Sequence, residues 1–355
     1  ALRASRLMHT SMVGGSADTE VMELTVTPPR PPTPSVATTE TLAAARLMPS
    51  KNVERFSLIV FLSKPIRQYL GGILVPRFWS TIRYSLLMNI DMLQGHIPPL
   101  LGDGDPPPFE VVNRDAQTSL LLVCDHASPQ IPAALDRLGM AENAFERHIA
   151  YDIGAQGVSR RLSERLNAPL VLAGYSRLLI DLNRPPGHPQ SIMDASDDTP
   201  IPGNKDLSDA AKRQRIRDLF EPYHDAVNRA LARLWEHGQA PALFSVHSFS
   251  PGFGGQPRPW DVGVLWNHDP RIAVPLMELL EAEGLKVGDN EPYSGHDLAY
   301  TIDMHAGAAG LPSCVIEINQ DQVRDEAGIE RWAGYLERAL TTILEQPGLH
   351  RVERF

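Results

Sequence analysis

Residues 119–126 are SLLLVCDH. Leu120 to Cys124 form an apolar run with no polar alternation. A strand with one wet face alternates; a strand without alternation is covered on both faces and lies inside a sheet flanked by helices. The run stops at Asp125 and His126. The same design recurs at residues 169–173 (PLVLA), 178–182 (LLIDL), 242–246 (ALFSV), 262–266 (VGVLW) and 313–318 (SCVIEI), each expected to be a strand. Between them lie stretches of helical period: 142–166 with a break before Asp152, 208–236 as one helix or a pair, 272–283, and 330–345. Short buried strands separated by helices predict an α/β domain with a largely parallel or mixed sheet.

Upstream the pattern dissolves. Residues 102–108 (GDGDPPP) are a breaker-rich linker. Residues 25–41 are rich in Pro, Thr, Ser and Val, including Pro28, Pro29, Pro31, Pro32 and Pro34, a composition that builds no core. Residues 51–93 mix apolar and basic side chains without a clean period, as a helical hairpin or an amphipathic surface element would, and a membrane-surface anchor is one weak reading. The chain begins with Ala1, and Met92 is one candidate for a natural start. The expected division is an irregular or disordered extension over 1–110 and a folded α/β domain over 111–355.

The 355 residues carry a formal net charge of -10 and no Lys/Arg block, which argues against nucleic acid or an anionic membrane as partner. Hydrophobic residues make up 43%, enough for a full core. The two cysteines, Cys124 and Cys314, sit in apolar runs and form no CxxC pair, so a reducing, cytoplasmic setting is expected. No apolar stretch is long enough to span a membrane.

Ligand sites in such sheets lie at the carboxyl ends of the strands. There the chain places Asp125 and His126, then Asn183 and Arg184, then His247, with Glu317 inside the last run. A histidine at a strand end is ordinarily a hydrogen-bonded turn residue. Two histidines, an arginine and carboxylates from four strands are more than that. Two histidines and a carboxylate with an open position make a catalytic zinc set, a free carboxylate moves the water proton, and an arginine grips a substrate carboxylate. The helical HExxH motif is absent, and no glycine loop opens a helix as a phosphate cradle would.

The segments Asp125-His126-Ala127-Ser128 with Ile131-Pro132, and residues 176–185 (SRLLIDLNRP), resemble the N-formylglutamate amidohydrolase family. Pro222-Tyr223-His224, residues 246–249 (VHSF), residues 290–295 (NEPYSG) and residues 316–319 (IEIN) match in the same order, from about Leu120 to Glu345. The resemblance implies a zinc carboxypeptidase-like fold, with a central mixed, largely parallel sheet flanked by helices, and one zinc ion per chain, held by His126 and His247. The third ligand is less direct, because Pro129 stands where the carboxypeptidases place a carboxylate. Asp152, opening the next helix, is the preferred third ligand; Asp125 is its rival, or else the partner that orients His126. The resemblance further assigns Glu317 as general base, Arg177 to the scissile carbonyl, Asn183 and Arg184 to a substrate carboxylate, and Tyr293 to a closing loop. The structural alternatives are a helix cap for Asp152, a core arginine's partner for Glu317 and a solvated strand start for Arg177. His224 is expected to pack a helix, while His296 and His305 are left open as pocket residues.

The implied reaction is hydrolysis of a small N-acyl amino acid, nominally N-formyl-L-glutamate to formate and L-glutamate, as in one route of histidine degradation. The alternatives are hydrolysis of another amide, or a non-catalytic binding module on the same scaffold. Oligomeric state is not legible.

Overall fold

A computed structural model describes residues 97–236 and 238–355 and, before them, three short strands. The chain divides into two compact units, Ala1–Gly95 and His96–Phe355. In the first, Val21–Glu23, Ala44–Pro49 and Phe56–Val60 pair as an antiparallel sheet. The Pro-rich tract lies outside the described residues, as does most of 51–93.

The second unit is built on one seven-stranded sheet. Its strands are β1 (Phe109–Val112), β2 (Leu120–Cys124), β3 (Leu170–Ala173), β4 (Ala242–Phe249), β5 (Val262–Leu265), β6 (Val287–Asp289) and β7 (Ser313–Asn319). Their spatial order is β6-β5-β7-β4-β2-β3-β1. The four central strands β7, β4, β2 and β3 are parallel, β1 and β5 pair antiparallel with β3 and β7, and β6 lies parallel to β5. The expected mixed, largely parallel sheet is what the chain forms. Residues 178–182 are not a strand: they are a buried turn segment whose Leu178 and Leu179 carbonyls accept from Asn204 and Arg215 side chains rather than from a neighbouring strand.

Side-chain alternation sends the strand residues into two cores. Leu121, Val123, Leu243 and Val315 face one, with Tyr223, Val227 and Leu231 of helix Glu221–Trp235. Leu120, Leu122, Phe244, Val246, Ile316 and Ile318 face the other. That second core is closed by Ala155–Arg165, Pro270–Ala282 and Glu326–Leu344, which supply Leu162, Leu276 and Trp332. Each fully buried Leu, Ile or Val stabilises by roughly 1.5–3 kcal/mol, so two continuous cores anchor the central strands firmly. Period two puts His247 and Glu317 on the face of Leu243 and Val315, and the parallel register makes them direct neighbours.

Gly263 of β5 lies opposite Glu317 on its other side, and a Cβ there would fall on the Glu291 carbonyl oxygen. The loop carrying Tyr293 thus rests on bare backbone. Gly263→Ala is expected to destabilise the fold by about 1–3 kcal/mol, the usual cost of overpacking. Denaturant unfolding at unchanged slope reads this directly; an unmoved midpoint refutes it.

Candidate active site

Three places in the chain deliver the centre. His126 follows β2, Asp152 stands in the turn before helix Ala155–Arg165, and His247 lies within β4. Their side chains are buried and offer ligand atoms within 4.8 Å of one another. Asp152 does not cap the helix; Gly154 occupies that position with φ 79°. The Asp152 backbone N–H donates to the His126 carbonyl at 3.0 Å, which fixes the turn against the strand end.

The ring nitrogens have separate duties. His126 Nδ1 is 3.3 Å and His247 Nδ1 2.8 Å from Asp152 Oδ2. His126 Nε2 meets Asp181 Oδ1 at 2.8 Å, and His247 Nε2 meets Asp125 Oδ2 at 3.0 Å. An ionised carboxylate only accepts, so each Nε2 carries its proton and donates. Once the Nδ1 protons leave, two Nδ1 lone pairs and one carboxylate oxygen converge on one point. A histidine that gives its far N–H to a carboxylate while its near nitrogen ligates is the usual support of a metal site. The donor set therefore fits a metal ion with three protein ligands and an open position.

The supporting carboxylates are themselves held. Asp125 Oδ1 accepts from Tyr223 Oη at 2.7 Å and Thr301 Oγ1 at 3.1 Å. Asp181 Oδ2 accepts from Arg177 Nη2 at 2.6 Å, and Arg177 Nη1 reaches Asp152 Oδ1 at 3.4 Å. Asp152 Oδ2 also accepts from Ser248 N at 3.3 Å. Burial opposes charge on Asp125, but the His247 hydrogen bond and nearby imidazoles outweigh it and bring its pKa down to about 2. Burial likewise opposes ionisation of Asp181, and Arg177 and His126 overcome it. For His126 burial favours the neutral ring; Asp181 and Asp152 raise its pKa nonetheless. His247 is raised further, against burial, by Asp125 and Asp152. A metal ion entering here displaces protons, as deprotonated ligands require.

Glu317 differs from the other acids. Its Oε2 is buried with no hydrogen-bond partner, and no arginine pairs with it among the described residues. Burial is the main cause that pushes its pKa up to about 7, with Asp152 adding repulsion against the pull of His247 and His126.

The remaining residues take these places. Arg177 is half-buried and paired, not a solvated strand start. Asn183 is buried; its N–H donates to Asp181 Oδ1 at 2.9 Å and its Oδ1 accepts from Thr301 N at 3.0 Å. Arg184 is half-buried, with Nη1 on the Asn183 carbonyl at 2.6 Å. Tyr293 Oη accepts from Arg258 Nη1 at 3.1 Å. Asp125 supports His247 rather than His126, whose partner is Asp181. His224 packs within its helix, 2.8 Å from His305 Nε2, and His296 is exposed on Asn267; none of these joins the cluster. Residues 252–255 open a small hairpin, Gly252–Phe253 with Gln256–Pro257. Asp181, Tyr223, Thr301 and Arg258 were not singled out by sequence. For Asp181 the signal was present: a carboxylate inside an apolar run, four residues after Arg177, demands a partner.

The chain belongs to the N-formylglutamate amidohydrolase family, which matches residues 118–324. Among solved structures it is similar to a gene product of Agrobacterium tumefaciens, at 35% identity and TM-score 0.67, covering 69% of this chain and 100% of that one. It is also similar in fold to an N-formylglutamate amidohydrolase from Ralstonia eutropha, at 18% identity and TM-score 0.55, covering 68% of this chain and 98% of that one. No curated protein matches the chain. No helix of the described residues is long and apolar enough to cross a membrane.

Proposed function

We propose that the chain hydrolyses the amide of an N-acyl amino acid, with N-formyl-L-glutamate as substrate and formate and L-glutamate as products, using one zinc ion per chain. The observation that carries this reading is the unpaired, buried carboxyl of Glu317 beside the converging His126, His247 and Asp152 donors. A zinc ion held by those three supplies Lewis acidity and lowers the pKa of water. Glu317 takes a proton from the attacking water and passes it to the amide nitrogen as the C–N bond breaks. Arg177, kept charged by Asp181 and Asp152, stabilises the oxygen of the scissile carbonyl. Arg184 and Asn183 bind the substrate's α-carboxylate, and Tyr293 closes over the bound molecule.

The test is release of formate or other acid from N-formyl-, N-acetyl- and N-benzoyl-L-glutamate by zinc-loaded protein. The formyl compound is expected to lead the benzoyl compound in kcat/KM by about tenfold or more, since pocket size discriminates on that scale. Preference for a bulky acyl group would remove the formyl assignment, and release from none would leave a binding module.

A further inference from the structure

Arg258 follows the small hairpin and returns to the carboxyl edge of the sheet. Its guanidinium carbon is 4.8 Å from the Tyr293 ring centroid, 5.4 Å from that of Phe253 and 5.7 Å from that of Phe249. Phe249 ends β4, the strand of His247. Nη1 is fully engaged: it donates to Ser250 O and Oγ, each at 3.2 Å, and to Tyr293 Oη at 3.1 Å. Nε and Nη2 donate to no protein acceptor, and no carboxylate pairs with the side chain among the described residues. Arg177 and Arg147, in contrast, are each paired with aspartates. Burial raises the Tyr293 phenol's pKa, and the charges acting on it beyond burial are Glu317, Arg258 and Arg177. Phe249 stands two residues beyond His247 on β4, so alternation puts it on the same face of the sheet and sets Arg258 over that face.

Nε–H and Nη2–H point the same way along one edge of a planar guanidinium, the fork that a carboxylate fits with two parallel bonds. Three aromatic rings and the anchored Nη1 hold that plane still, so little rotamer freedom is lost when the fork is filled. We propose that Arg258 receives the side-chain carboxylate of a dicarboxylic N-acyl amino acid and thereby sets the preference for an acidic over a neutral side chain. This rests on the hydrolase reading above, in which Asn183 and Arg184 hold the α-carboxylate.

The experiment compares N-formyl-L-glutamate with its neutral isostere N-formyl-L-glutamine. Binding is measured by calorimetry on zinc-loaded Glu317→Gln protein, alone and combined with Arg258→Gln or Arg258→Lys. Turnover is measured separately with Glu317 intact. With Arg258 present, the glutamate compound is expected to bind about 10–100-fold more tightly than the glutamine compound, the scale of a charge-assisted pair. Arg258→Gln should abolish that ratio while the glutamine compound changes by less than about threefold, and Arg258→Lys should restore part of it. In turnover the loss should fall on KM rather than kcat. If both ligands weaken equally, Arg258 only braces the hairpin and the assignment is overturned; a ratio that survives Arg258→Gln overturns it too. If Arg258 controls the binding ratio but wild-type protein releases no formate, this assignment stands and the hydrolase reading falls.

Discussion

Glu317→Gln is expected to lower turnover of N-formyl-L-glutamate by about 10²–10⁴-fold, the contribution of a positioned acid–base group, while metal content stays at the wild-type level. Glutamine keeps the shape but moves no proton. The candidate ligands His126, Asp152 and His247 do not lean on Glu317 for a hydrogen bond, since its Oε2 has none. A merely structural Glu317 would give a different result: activity and stability would fall together. Stability supplies a second reading in metal-stripped protein. The carboxyl titrates near 7 in the fold because it is buried, against an ordinary value of 4.5. The unfolded chain therefore releases this proton first, and as pH rises from 4.5 through 7 the wild type loses stability that Glu317→Gln keeps. At about 1.4 kcal/mol per pH unit, the difference should reach roughly 3 kcal/mol by pH 8 and vanish below pH 4.5. Unfolding of both proteins across that range checks it; parallel curves would mean that the carboxyl is not buried as described. Unchanged turnover would refute its role as base.

What was legible in the sequence follows from which physical signal each element carries. β2, β4 and β7 are buried on both faces, so their apolar runs show through. β1 and β6 lie at the two edges with only three or four residues, partly exposed, and carry too little apolar material to announce themselves. Residues 178–182 misled for the opposite reason. They are apolar because they fill the core, yet their backbone polar groups are met by Asn204 and Arg215 instead of a neighbouring strand. Glu317 and the two histidines were readable because strand ends point at the site. The carboxylate partners were not. Asp125 adjoins His126 in sequence but crosses to His247, while Asp181, fifty-five residues away, takes His126. Adjacency along the chain does not fix which ring a carboxylate meets when the partner sits on the next strand. Arg258 was hidden because it follows a glycine hairpin, and only the fold stacks it on Phe249 and Tyr293.

The metal centre should show the other large effect. Purified wild-type protein is expected to carry about one zinc per chain by mass spectrometry, and His126→Ala/His247→Ala to carry none. Alanine at both positions also strips Asp152, Asp125 and Asp181 of their imidazole partners, and buried carboxylates left alone cost about 3–5 kcal/mol. A double variant that fails to fold would lose metal for that reason alone. Asp181→Asn separates the two causes, because it leaves His126, Asp152 and His247 in place and keeps an amide where the carboxylate fixes the His126 ring, at the cost of the charge that also pairs with Arg177. The affinity for zinc should fall about 10–100-fold, as for other partners of ligating histidines, with circular dichroism unchanged. Added zinc should then restore the thermal midpoint by mass action, at correspondingly higher concentration than in wild type. If Asp181→Asn binds zinc as tightly as wild type, the convergence of Nδ1 atoms on Asp152 is not the metal site. If wild type binds no metal even when supplied, water activation at this centre is lost, and the buried imidazoles and carboxylates are a structural ion-pair network beneath a binding pocket.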